Sequence, residues 1–130
     1  MEIRNVDDVV ILTPKGLLLG NKETDELEGK IKDLDNQGNE KLLINLGKTT
    51  FMSSMGMACL FLAHAKYVKR GARVKLCSVD RKIKAVFVLV KLTLIYGDDL
   101  HDTEEDALES FRRILGRTEA AAQTTAGPAR

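Results

Sequence analysis

The chain has 130 residues, 44% of them apolar, and a formal net charge of +1, which bounds it to one modest domain with a single core. Acidic and basic residues nearly cancel, so no overall basic field exists to recruit nucleic acid or anionic lipid, and neither is expected as a partner. No apolar run approaches the ~20 residues of a membrane span, and MEIRNVDDVV does not read as a secretory signal, so a cytoplasmic location is expected.

In chain order, Val9-Val10-Ile11-Leu12 is β-branched and apolar and stops at Pro14 and Gly16, as a strand does. From Lys22 to Asn36, Leu27, Ile31 and Leu34 fall at helical spacing among charged residues, with Gly38 as the stop, and predict an amphipathic helix. Lys41 to Leu46 is a short continuous apolar run, the pattern of a strand covered on both faces. FMSSMGMACLFLAHAKYVKRG opens with two serines and closes on Lys69, Arg70 and Gly71, which predicts a helix starting near Ser54.

Arg73 to Cys77 alternates, with Val74 and Leu76 on one side, as a further strand. Asp80 is placed to cap a helix whose Ile83, Phe87 and Val90 share a face. Thr103 and Asp106 form a capping-box-like pair ahead of Leu108, Phe111 and Leu115. Past Gly116 the tail has nothing to bury, so residues 1–116 are expected to form the domain and 117–130 a disordered tail. Strands alternating with helices predict an α/β fold with a mostly parallel or mixed central sheet.

Several chemistries find no support. Gly47-Lys48-Thr49 copies the end of a phosphate-binding loop, but Leu42 stands where that motif needs its first glycine, so a small nucleotide-binding enzyme is a remote alternative. Cys59 and Cys77 sit in apolar stretches and read as buried, reduced thiols, with neither a disulfide nor a metal site expected. His64 and His101 have no ligand or base partner at a useful spacing and read as surface or satisfied residues. Asp98, Asp99, Asp102, Glu104, Glu105 and Asp106 lack the glycine and alternation of a calcium loop and read as a solvated turn before a helix. No Gly-x-Ser-x-Gly elbow surrounds Ser54, so hydrolase chemistry has no basis. No cofactor is expected.

The segment LLINLGKTTFMSSMGMACLFLAHAKYVKRGARVKLCSV resembles the central block of the STAS family, in particular the anti-sigma factor antagonists. There a buried strand leads into an Asp-Ser-Ser-Gly-like turn and a helix. Gly56 falls on the family glycine and Ser54 on the serine that anti-sigma kinases phosphorylate, while Ser53 stands in the Asp position and Met55 in that of the second serine. Gly71 and TEEDALESF, from Thr103 to Phe111, continue the likeness, whereas Leu19 occupies the place of an early-turn Asp. The resemblance implies a single STAS domain with about four helices. It implies binding through Ser53, Ser54, Met55, Gly56, Met57 and Ala58 to an anti-sigma factor that is also a serine kinase. An opposing phosphatase would reverse the modification, and sigma-factor-dependent transcription would be the output. A constitutive scaffold on the same fold is the alternative, and the sequence leaves the oligomeric state open.

Overall fold

The computed structural model describes residues 1–113, so the expected tail, the end of the domain at 116 and Leu115 lie outside the described residues. The chain opens with strands β1 (Glu2–Val6) and β2 (Val9–Thr13), an antiparallel hairpin turned by two residues, of which Asp7 is left-handed at φ 55°. Asp is among the few non-glycine residues that tolerate that conformation. β3 (Gly16–Leu18), α1 (Lys22–Asn36), β4 (Lys41–Asn45), β5 (Thr49–Met52) and α2 (Ser54–Lys69) follow. Then come β6 (Arg73–Cys77), α3 (Arg81–Leu89), α4 (Leu92–Tyr96), a 3₁₀ turn at Gly97–Asp99, β7 (Leu100–His101) and a helix, α5, described over 104–113. Among the described residues five helices stand against the four or so expected, the extra one being the single-turn α4.

The main sheet runs in the order β1-β2-β4-β6-β7, antiparallel only at its β1 edge, so it is mixed, as anticipated. A separate parallel ribbon pairs β3 with β5. Strand side chains alternate between two cores. Leu12, Leu42, Ile44, Val74 and Leu76 meet helices α1 to α4 on one face of the sheet. Val9, Ile11, Leu43 and Cys77 meet Ala107 and Phe111 of α5 on the other. Both faces being covered explains why β4 reads as an unbroken apolar run. Cys59 belongs to the first core and Cys77 to the second, both unbonded, and burial pushes each thiol up to about 11.

Three expectations need correction. Asp99 is not part of a solvated turn: it is buried and accepts a 2.7 Å hydrogen bond from Nζ of Lys75, itself 0% exposed in the strand whose odd positions the alternation leaves outside. Arg73 reaches the same carboxylate at 3.3 Å from its exposed side. Because α5 covers that face of the sheet, Lys75 must be buried, and a buried ammonium requires a partner carboxylate. His64 and His101 are not satisfied either: His64 Nδ1 and His101 Nε2 are buried without a hydrogen-bond partner among the described residues. Burial lowers the pKa of both imidazoles. Val90, finally, is the C-cap of α3 and half exposed, because the helix ends there at a left-handed Lys91 (φ 66°) instead of carrying its apolar stripe onward.

Candidate functional site

The serine pair sits where the β3–β5 ribbon delivers the chain into α2. Ser53 is the N-cap, with extended backbone (φ −88°, ψ 179°), and its hydroxyl accepts the Met55 N–H at 3.2 Å. Its own amide donates to the Leu18 carbonyl at 2.9 Å, and its Oγ lies 3.3 Å from the same oxygen. Ser53 is therefore committed to holding the helix start against β3. Ser54, the first helical residue, is exposed, so the sequence's serine pair divides into one structural hydroxyl and one presented to solvent.

Gly56 is required by close approach. A Cβ there would lie 2.6 Å from Met52 Cγ, 2.9 Å from the Leu18 carbonyl oxygen and 3.0 Å from Leu18 Cβ. Only a residue without a side chain lets the first turn of α2 settle onto β3. Gly20, left-handed at φ 89°, approaches the Met55 side chain in the same way, a Cβ there falling 2.5 Å from the sulfur. Leu19 and Met55 flank this contact with exposed apolar side chains.

Of the six residues expected at a partner surface, Ser54, Met55 and Ala58 are exposed and Ser53 is half-buried. Gly56 and Met57 are buried, although Met57 contributes to the floor of an adjoining groove. That groove, with a volume of about 530 Å³, runs from Phe51 and Ser54 past Phe61 to Val86, Val90 and Ile95, between α2 and the α3–α4 pair. Its walls are almost wholly apolar, and Phe51, Phe61 and Val90 are about half exposed along it. Sequence reasoning placed the serines but not the groove's far wall. The excess of apolar residues over one stripe in α2 was its only signal, because α3 is distant in sequence.

The STAS domain profile matches residues 1–107, nearly all of the described chain. The chain belongs to the STAS domain family. Solved structures agree on the fold. The anti-sigma factor antagonist SpoIIAA in its unphosphorylated form, known from Bacillus, superposes with a TM-score of 0.68 at 21% identity, over 85% of this chain and 96% of that one. An anti-sigma factor antagonist from Mycobacterium paratuberculosis gives 0.74 at 21%, over 85% and 92%. The STAS domain of a SulP transporter from Vibrio cholerae gives 0.68 at 17%, over 90% and 88%. At these identities the likeness speaks for the STAS fold alone. No curated protein matches the chain.

Among the described residues of this STAS domain, no group of three or more His, Cys, Asp or Glu side chains is arranged to hold a metal ion. Gly47-Lys48-Thr49, the fragment that resembled a phosphate loop, forms a turn between β4 and β5: the Gly47 N–H donates to the Asn45 side chain at 2.8 Å and Thr49 begins the strand. The turn's one free-reaching cation, Lys48, is paired with Glu2 at 2.7 Å.

Proposed function

We propose that this STAS domain is an anti-sigma factor antagonist: a non-enzymatic, cytoplasmic binding module that captures an anti-sigma factor and is released when Ser54 is phosphorylated. The observation that carries the reading is the exposed Ser54 at the rim of an apolar groove, on the first turn of a long helix. A phosphoryl group would add about −1.5 to −2 charges and three acceptor oxygens at that rim. An apolar partner surface seated there would be desolvating a dianion, and would leave. The domain itself would keep its fold, because the α2 N-terminus offers unpaired N–H groups and a positive dipole end to the phosphate, and because the cap is made by Ser53. An opposing phosphatase would restore the binding form, with sigma-factor-dependent transcription as the output.

The test is intact mass after incubation with the cognate anti-sigma kinase and ATP, for the wild type, Ser54→Ala and Ser53→Ala, alongside binding of each form. Phosphate gain lost only in Ser54→Ala, with weaker binding after modification, is expected. Binding without phosphate gain would make the same surface a constitutive adaptor. That second reading has one observation in its favour: the residue in the family's Asp position is a serine wholly occupied with capping.

A further inference from the structure

The net charge of +1 conceals a sharp segregation. Between Lys41 and Gly97 the chain carries eleven Lys and Arg residues and a single acidic one, Asp80. The acidic residues are gathered before and after this stretch. Helices α2, α3 and α4 all lie within it, so their outer surfaces contain only two kinds of side chain in quantity, cationic and large apolar.

The concentration is greatest at the α3–α4 junction. Leu89 and Leu94 are 79% and 76% exposed, the most exposed large apolar side chains of the described residues, with Val88 beside them at 59%. Lys91 in its left-handed conformation breaks the helix between the two leucines, and Arg81, Lys82 and Lys84 stand exposed along α3. Neither leucine lines the groove beside Ser54. They project from the turn between two helices.

We propose that the α3–α4 junction docks on an anionic bilayer surface, with Leu89 and Leu94 inserted among the acyl chains and Lys82, Lys84 and Lys91 at the headgroups. The domain would lie on the membrane, since among the described residues no helix is long and apolar enough to cross it. Charge complementarity fixes the sign of the surface: from Arg81 to Gly97 the sequence has cations and no acid, and although Lys84 meets Asp102 at 3.9 Å in an exposed pair, the junction's excess of positive charge is attracted to phosphatidylglycerol-type headgroups. The protruding geometry favours lipid over an acidic protein segment. A protein partner needs a matching pocket for each projecting leucine, whereas acyl chains accept any shape, and lysine stems reach past them to the phosphates. The inference goes beyond the partner-switch reading and does not depend on it.

Flotation of the full chain with vesicles tests it, comparing phosphatidylcholine alone with phosphatidylcholine mixed with phosphatidylglycerol. The wild type should float with the mixed vesicles only, and should be released as salt is raised toward ~1 M, where the Debye length is about 3 Å. Leu89→Asp/Leu94→Asp and Lys82→Glu/Lys84→Glu should each reduce partitioning by about tenfold or more, with unchanged thermal midpoints because all four side chains are exposed. Three results overturn the proposal: no flotation of the wild type with either vesicle, flotation that neither double variant diminishes, or retention on immobilised polyglutamate without vesicle binding. The last would assign the face to an acidic protein.

Discussion

The two faces of the sheet solve opposite problems. Beneath α5, a small core of Val9, Ile11, Leu43, Ala107 and Phe111 encloses a lysine, a carboxylate and an imidazole, and turns no large apolar side chain of that core outward. Beneath α1 to α4, a larger core whose buried polar groups are few, the Tyr96 hydroxyl donating to the Leu60 carbonyl among them, leaves Phe51, Met55, Phe61 and Leu89 exposed on its outer side. One face has polar groups where solvent cannot reach, and the other has apolar groups where it can. Both are energetically unfavourable placements taken alone, and they differ in what relieves them: an internal ion pair in the first, and in the second the external partner proposed above. Stability should therefore be sensitive on the α5 face, and binding on the other.

The largest break in that contrast should come from Asp99→Asn, which leaves Lys75 buried without its counter-charge and is expected to cost about 3–5 kcal/mol in urea denaturation. Replacing both partners, Lys75→Met with Asp99→Leu, should recover most of the loss, because two apolar groups need no desolvation. Next, Gly56→Ala should cost about 1–3 kcal/mol by forcing the first turn of α2 off β3, and it should weaken partner binding with it. Ser53→Ala removes the cap and should cost about 1 kcal/mol, whereas Ser54→Ala, one residue on, should stay within about 0.5 kcal/mol. A thermal comparison of these two variants shows directly which serine is structural.

The smallest effect is the pH dependence. Burial lowers the pKa of His64 and of His101, so the unfolded chain takes up protons more readily than the folded one. Stability should thus fall as pH drops below the ordinary histidine value of 6.5, one imidazole lying against each core. His101→Gln should flatten the part of that slope which belongs to the α5 face. A slope unchanged in His101→Gln and removed by His64→Gln would assign the acid sensitivity to the other side of the sheet.

Legibility followed the same division. Helix α1 is visible from Lys22 to Asn36 because its buried stripe repeats at helical spacing, and the caps at Asp80 and Thr103 form as their residue types indicate, donating amides being Lys82 and Asp106. β1 escaped because EIRNV is an edge strand with its middle residues exposed, so it has no apolar pattern to recognise. β3 and β5 escaped because each is too short for periodicity, their pairing being fixed by the turn into α2. At the site, the serines and Gly56 stood out through family likeness, yet which serine caps is decided by a carbonyl at Leu18, thirty-five residues away. Lys75 was the hardest to foresee. In RVKLC it reads as the solvent-facing member of an alternation, and only the need of Ala107 and Phe111 for a sheet face to cover reveals that its side is interior.

The two cysteines give each core its own clock. At neutral pH a thiol displaced to about 11 is almost entirely protonated and inert to alkylating reagents, so neither Cys59 nor Cys77 should react while its layer is closed. Alkylation then proceeds only through openings of the native state, and its rate at each sulfur counts the openings of one side of the sheet alone. A chain whose Cys59 is modified faster than Cys77 is breathing at helices α1 to α4 while the α5 side stays shut.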